Sequence, residues 1–275
     1  VKAAVIYIDN LVDESILFDH ILKPLIVESS IENIAAAKID LEQISDMMLT
    51  IGNIKEVQTF DEIVLGIMSG ETFLSIQGYA KGFLINAKGY QGRTIGEPSV
   101  EPSIRGPQEA FVEVLKINIG LIRRRLRDPN LCFEVHKLGR RGKSDVAIAY
   151  IKGIVDQDIV HEVRKRMDSI DIDNLSTTVE IGQLISDSPN CIFPLFQSTE
   201  RPDKVVSALC EGRVAILMDG SPEAVIVPVT FPILMQSADD YFENWIIASF
   251  IRISRYISLL ISTLLPALYI STVSF

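Results

Sequence analysis

Histidine and cysteine, the side chains that hold most transition metals and supply many nucleophiles, are almost missing from this sequence, with three of each in 275 residues. Cys132, Cys191 and Cys210 show no metal-ligand spacing and no secretory signal precedes them, so they read as small buried hydrophobes in a reducing compartment. His20, His136 and His161 stand too far apart to form a ligand motif. There is no Gly-x-Ser-x-Gly elbow and no glycine-rich dinucleotide fingerprint. GRRGKS (139–144) ends like a phosphate-binding loop, but Lys137 sits where that loop needs its first glycine, which leaves a basic turn between two strands. Positive charge is also short. The 26 Lys and Arg against 36 Asp and Glu give a net charge of −10, which excludes a general nucleic-acid binder. Paired acids such as Asp239-Asp240 and Asp171/Asp173 are common on surfaces and at helix starts, and no catalysis is assigned to them. No enzyme, cofactor or metal site is expected.

What the chain has in quantity is apolar residues, at 48%. A membrane segment is therefore sought before a soluble fold is assumed. Its organising stretch is Arg105–Leu131, RGPQEAFVEVLKINIGLIRRRLRDPNL. Pro107 suits a first helical turn and Asp128-Pro129 a stop, which predicts one long helix. Phe111, Leu115, Ile119, Ile122 and Leu126 fall on one face of it. Arg123, Arg124, Arg125 and Arg127 crowd its last turn, where they complement the helix dipole. Arg140, Arg141 and Lys143 follow in the basic turn. If helix end and turn meet, they form a basic patch facing a neighbouring subunit or anionic lipid headgroups. The alternative is a set of isolated exposed ion pairs worth little each.

In chain order, Ala3–Asp9 reads as a strand, followed by a helix running toward Pro24, and 31–45 reads as helical. A short strand at 54–58, a helix over Phe60–Met68 stopped by Gly70, and strands at Thr72–Ile76 and Gly82–Asn86 come next, with a turn at Gly78. The later half repeats this plan. VIYIDNLVDESIL (5–17) aligns with IAYIKGIVDQDIV (148–160), and 60–85 aligns with 202–227, placing Gly70 over Gly212 and Gly78 over Gly220. The expected fold is α/β: two similar mixed α/β lobes from an internal duplication, followed by a C-terminal transmembrane helix. The first lobe covers 1–92, a linker with two Glu-Pro steps 93–104, the second lobe 105–236. The opening VKAAVIYID lacks a methionine and starts inside an apolar run, which predicts a truncated first lobe. The strand and turn at 131–145 have no counterpart there, so an equivalent partner strand is expected from residues beyond this chain.

Residues 237–275 form an amphipathic, aromatic approach to the membrane and a first transmembrane helix. Trp245 stands in the approach, Arg252 and Arg255 flank it, and Tyr256–Phe275 carries no charge over a length that crosses a hydrocarbon core. A buried C-terminal helix of a soluble protein is the alternative.

RGPQEAF (105–111), IRRRLRDPNL (122–131), LGRRGKSDVAIAYIKGI (138–154), STERPDKVV (198–206), LCEGRVAILMDGSPEAVIVPVTF (209–231) and DDYFENW (239–245) carry a family likeness. In this order they resemble the A subunits of the GerA family of spore germination receptors. The resemblance implies a nutrient receptor of the spore inner membrane, with its N-terminal domain on the cytoplasmic side. Its implied partners are B and C subunits, other A subunits in a homo-oligomer, and membrane lipids. It further implies roles in assembly, germination signalling and an ion channel. A second reading is a bilobed domain that closes on a small nutrient ligand in the cleft between its lobes.

Overall fold

A computed structural model describes residues 3–24, 26, 54–89, 101, 106–188, 191, 193–237, 240 and 244–273. Its first sheet begins with β1 (Ala3–Ile6). A 3-10 turn, Asp9–Leu11, leads to α1 (Glu14–Ile16), which continues as the π-helical Leu17–Leu22. Asp13 caps α1, accepting from Ser15 N–H at 2.9 Å and Ile16 N–H at 3.4 Å. β2 (Ile54–Val57), α2 (Phe60–Met68), β3 (Thr72–Ile76) and β4 (Gly82–Ile85) complete this half. The strands run antiparallel in the order β1-β3-β4-β2, and Leu17, Ile21, Leu74, Phe83 and Ile85 fill the core beneath them. The helix at Phe60–Met68 and the hairpin that follows lie where the sequence placed them. Gly78, at φ +97°, supplies the left-handed residue its turn needs. The strand expected over 3–9 closes earlier, at Ile6, and the helix expected over 31–45 lies outside the described residues.

The second half holds α3 (Leu115–Arg125), β5 (Leu131–Leu138), β6 (Ser144–Ile151), α4 (Gln157–Asp168) and α5 (Thr178–Leu184). Then come β7 (Gln197–Thr199), α6 (Pro202–Cys210), β8 (Val214–Met218) and β9 (Ala224–Val227). Its sheet is antiparallel, in the order β5-β6-β8-β9-β7. Strand residues alternate between faces. Ala147, Ala149, Ala215 and Leu217 pack under α3 and α6, whereas Val146, Ile148, Val214 and Ile216 pack under α4 and α5. Helices on both faces explain why β6 and β8 read as unbroken apolar runs instead of alternating ones.

Equivalent pairings recur in the two sheets. Val5 faces Leu74 as Ile148 faces Ile216, Leu74 faces Phe83 as Ile216 faces Val225, and Glu56 faces Phe83 as Ser198 faces Val225. Gly70 and Gly212 adopt φ of +85° and +82° after their respective helices. β5 lies on the outer edge of β6, and the matching edge of β1 has no strand among the described residues.

Two expectations are corrected. The long helix is only α3, and 106–114 is not helical. Val114 is extended at φ −89° and ψ 110°, and no side chain of its own caps the helix. The cap comes from elsewhere: Asp219 accepts from Leu115 N–H at 2.9 Å. Phe111 N–H meanwhile bonds the Glu200 carbonyl at 2.8 Å, tying the preceding segment to the second sheet instead of to a helical ladder. The cysteines are the second correction. Cys191 and Cys210 are exposed and Cys132 is half-buried, since Cys210 closes α6 at its solvent-facing end.

After β9 come α7 (Phe231–Leu234) and α8 (Trp245–Val273).

Candidate site at the foot of a membrane helix

α8 has 29 residues. At 1.5 Å per residue it is about 43 Å long, more than the hydrocarbon thickness of about 30 Å. Ala248 is its one buried residue among those described, and its last 18 carry no charge. Length and composition therefore let it cross a membrane. Pro266 lies inside the helix without ending it, as happens in membrane helices. Trp245 is exposed on the N-terminal side of the uncharged run, where amphipathic aromatics settle at an interface.

Arg252 and Arg255 were expected as a basic flank facing the membrane boundary. Both bind the same acid. Asp240, whose side chain is only 2% exposed, accepts from Arg255 Nη1 at 2.6 Å, from Arg255 Nη2 at 2.9 Å and from Arg252 Nε at 3.3 Å. Ser237 N–H adds a bond at 3.2 Å, and Arg255 Nη1 also reaches the Met235 carbonyl at 3.1 Å. Burial alone would raise the Asp240 carboxyl. The Arg255 bonds, the Ser237 N–H and the Arg252 guanidinium outweigh it and hold the group below the ordinary carboxylate range. A bidentate, charge-assisted pair fixes geometry as well as energy. The clamp thus joins the segment leaving the second sheet to the base of α8. In the sequence, Asp240 reads as one of a pair of surface acids. The one signal available was the spacing of the two arginines, which places them on one helix face.

The basic cluster divides in two. Arg124 and Arg125 both bond Glu109, Arg125 at 2.7 Å. Burial would raise Glu109, but the two guanidiniums prevail and lower it. Arg123 lies over the Phe133 ring at 5.0 Å, and burial pulls its pKa down. Arg127 is exposed with no ion pair among the described residues. In the turn, Arg140 binds the Asp171 carboxylate and Arg141 lies 3.9 Å from Asp173, while Lys143 is exposed at φ +48°. The helix end adjoins the start of β5 and the turn follows its last residue. Eight residues at about 3.4 Å each place them roughly 27 Å apart along the strand, so the structure does not bring them together.

A separate cleft of about 380 Å³ lies between the segment 9–14 and α3. Asp9, Asp13 and Glu14 line one wall, Lys116 and Arg124 the other. Lys116 Nζ spans it at 2.8 Å from Asp9 and 3.8 Å from Glu14. A Cβ on Gly120 would stand 3.1 Å from the Asn10 carbonyl, so α3 and the 3-10 turn meet closely there. No cluster of three or more metal-binding side chains occurs among the described residues.

A family model described as Bacillus/Clostridium GerA spore germination protein matches residues 1–275. The chain belongs to the GerA family. This GerA chain is 42% identical over 274 residues to spore germination protein B1 of Bacillus subtilis (strain 168), covering all of itself and 56% of that protein. An uncharacterized membrane protein of the same organism, YfkQ, is 34% identical over 272 residues, with 98% of this chain and 52% of the relative covered. The chain thus spans about half the length of these relatives. Among solved structures, the N-terminal domain of the A subunit of the Bacillus megaterium spore germinant receptor GerK3 matches with a TM-score of 0.63 and 33% identity. That match covers 83% of each chain. As the missing catalytic sets implied, the family is one of germination proteins and not of enzymes.

Proposed function

We propose that this GerA chain is the N-terminal domain and first membrane helix of a nutrient germinant receptor A subunit. In this reading the two lobes lie on the cytoplasmic side of the spore inner membrane, and the subunit assembles with B and C subunits and with further A subunits. Its membrane part contributes to an ion channel, and the Asp240 clamp passes changes in the second lobe to α8. The observation that carries the reading is the likeness, in sequence and fold together, to the A-subunit domain of GerK3. The matching registers of the two sheets support an origin by duplication, with lobes at 1–92 and 105–236 joined by 93–104. Most of that linker lies outside the described residues, and Glu101 within it bonds Lys204 at 2.7 Å. Of the basic set, Arg127 and Lys143 are left for contacts with other subunits, because Arg124, Arg125, Arg140 and Arg141 have acidic partners within the chain.

Orientation has its own test. Cys191 and Cys210 are exposed free thiols, so the natural protein carries two reporters. A membrane-impermeant maleimide is expected to label them only after the membrane is permeabilised. Ready labelling of intact cells would put the lobes on the opposite side.

The cleft beside α3 favours a second reading, a bilobed domain that binds a small nutrient. Opposed acidic and basic walls in a space of about 380 Å³ suit a small zwitterion. Calorimetric titration of the detergent-solubilised chain with amino acids tests it. Saturable heat that Lys116→Ala abolishes would support binding, and the absence of heat at millimolar ligand would refute it.

A further inference from the structure

α7 consists of four apolar residues, Phe-Pro-Ile-Leu, and Met235 follows. Phe231 is 40% exposed and meets Phe193 edge to face, their centroids 5.8 Å apart; Phe193 is itself 60% exposed. Exposed aromatic surface gathered at one point marks a place of contact. α8 stands beside it. The Met235 carbonyl accepts from Arg255, the last charged residue before the uncharged run. Leu234 and Met235 share an open groove with Ser258, Leu259 and Ser262, all within that run. From Arg255 to Ser262 the helix rises about 10 Å. α7 is therefore level with the first two turns of the segment that enters the bilayer.

We propose that α7, with Phe193 against it, is seated in the headgroup–acyl boundary of the membrane, so that the second lobe rests on lipid. The proposal rests on α8 being a membrane helix. Its occupant is lipid because the uncharged turns of α8 at the same height must themselves be surrounded by acyl chains. Arg252 and Arg255 keep their charged heads on the polar side, paired with Asp240. The contact gives the lobe a second attachment, independent of the helix that anchors it.

The test uses the full chain, with Trp245→Phe removing the natural indole, in vesicles of phosphatidylcholine and phosphatidylglycerol. Phe231→Trp is expected to lose about half its emission to lipids brominated near the headgroup, and little to lipids brominated near the chain end. Phe193→Trp, on the same surface, should behave alike and covers the case in which the first variant fails to fold. Leu260→Trp reports on α8 itself and should respond to the deep bromines. If Leu260→Trp is quenched and both lobe indoles are not, the seated turn is wrong while the membrane helix stands. A blue-shifted but unquenched indole at 231 would mean that protein covers it, which also overturns the proposal. An unquenched Leu260→Trp would refute both readings together.

Discussion

Asp240→Ala is expected to release the base of α8 while leaving both sheets folded. The substitution removes the carboxylate that both guanidiniums share, and these keep about a third of their surface in solvent, so the local cost is about 1–3 kcal/mol. Far-UV circular dichroism of the solubilised chain should be unchanged. Proteolysis between Ser237 and Trp245 should rise about tenfold, because cleavage there follows the population of the opened joint. Asp240→Asn, which keeps acceptors but loses the charge, should fall between the two. The same clamp is sensitive to acid. The folded pKa of Asp240 lies below its unfolded value, so its contribution is present above the ordinary carboxylate range. It disappears as pH falls through the lowered folded value. An unchanged cleavage rate in Asp240→Ala would show that the arginines hold α8 without their acid.

Ile122→Ala is expected to have the largest effect on stability. Ile122 is fully buried in the cluster where α3 and α6 meet the second sheet. Removing its outer carbons costs about 2–5 kcal/mol through lost transfer energy and the cavity left behind. The melting temperature should drop by on the order of 10 °C. Arg127→Glu, two residues beyond the end of α3 and exposed, should change stability by no more than about 0.5 kcal/mol. The contrast separates the two roles of the arginine-rich helix. A loss of stability from Arg127→Glu would mean that the charge supports the fold and is not free for assembly.

Local patterns in the sequence were enough for the elements whose causes are local. Thr59 accepts from Glu62 N–H and opens Phe60–Met68, Gly70 follows it with a positive φ, and Gly78 turns the hairpin. What escaped was set by partners distant in sequence. The cap on α3 is Asp219, 104 residues away from Leu115. The acids that neutralise the basic turn, Asp171 and Asp173, lie on the far side of α4. Glu109, inside the segment expected to be helical, bonds two of the arginines expected in the basic patch. Asp240 was visible as a letter but not as a buried one, because nothing nearby in sequence says that Arg252 and Arg255 face it.

The central claim is that the chain forms part of a germinant receptor A subunit joined to its membrane helix through Asp240. The most direct measurement is affinity purification of the tagged, full-length A subunit from spore inner membranes, followed by mass spectrometry of what accompanies it. The account predicts that B and C subunits co-purify with the natural protein. It also predicts that spores carrying only Asp240→Ala, with the same amount of assembled receptor, germinate more slowly on the nutrient. Recovery of the A subunit without B or C partners, together with an unaltered nutrient response in Asp240→Ala spores, would contradict it.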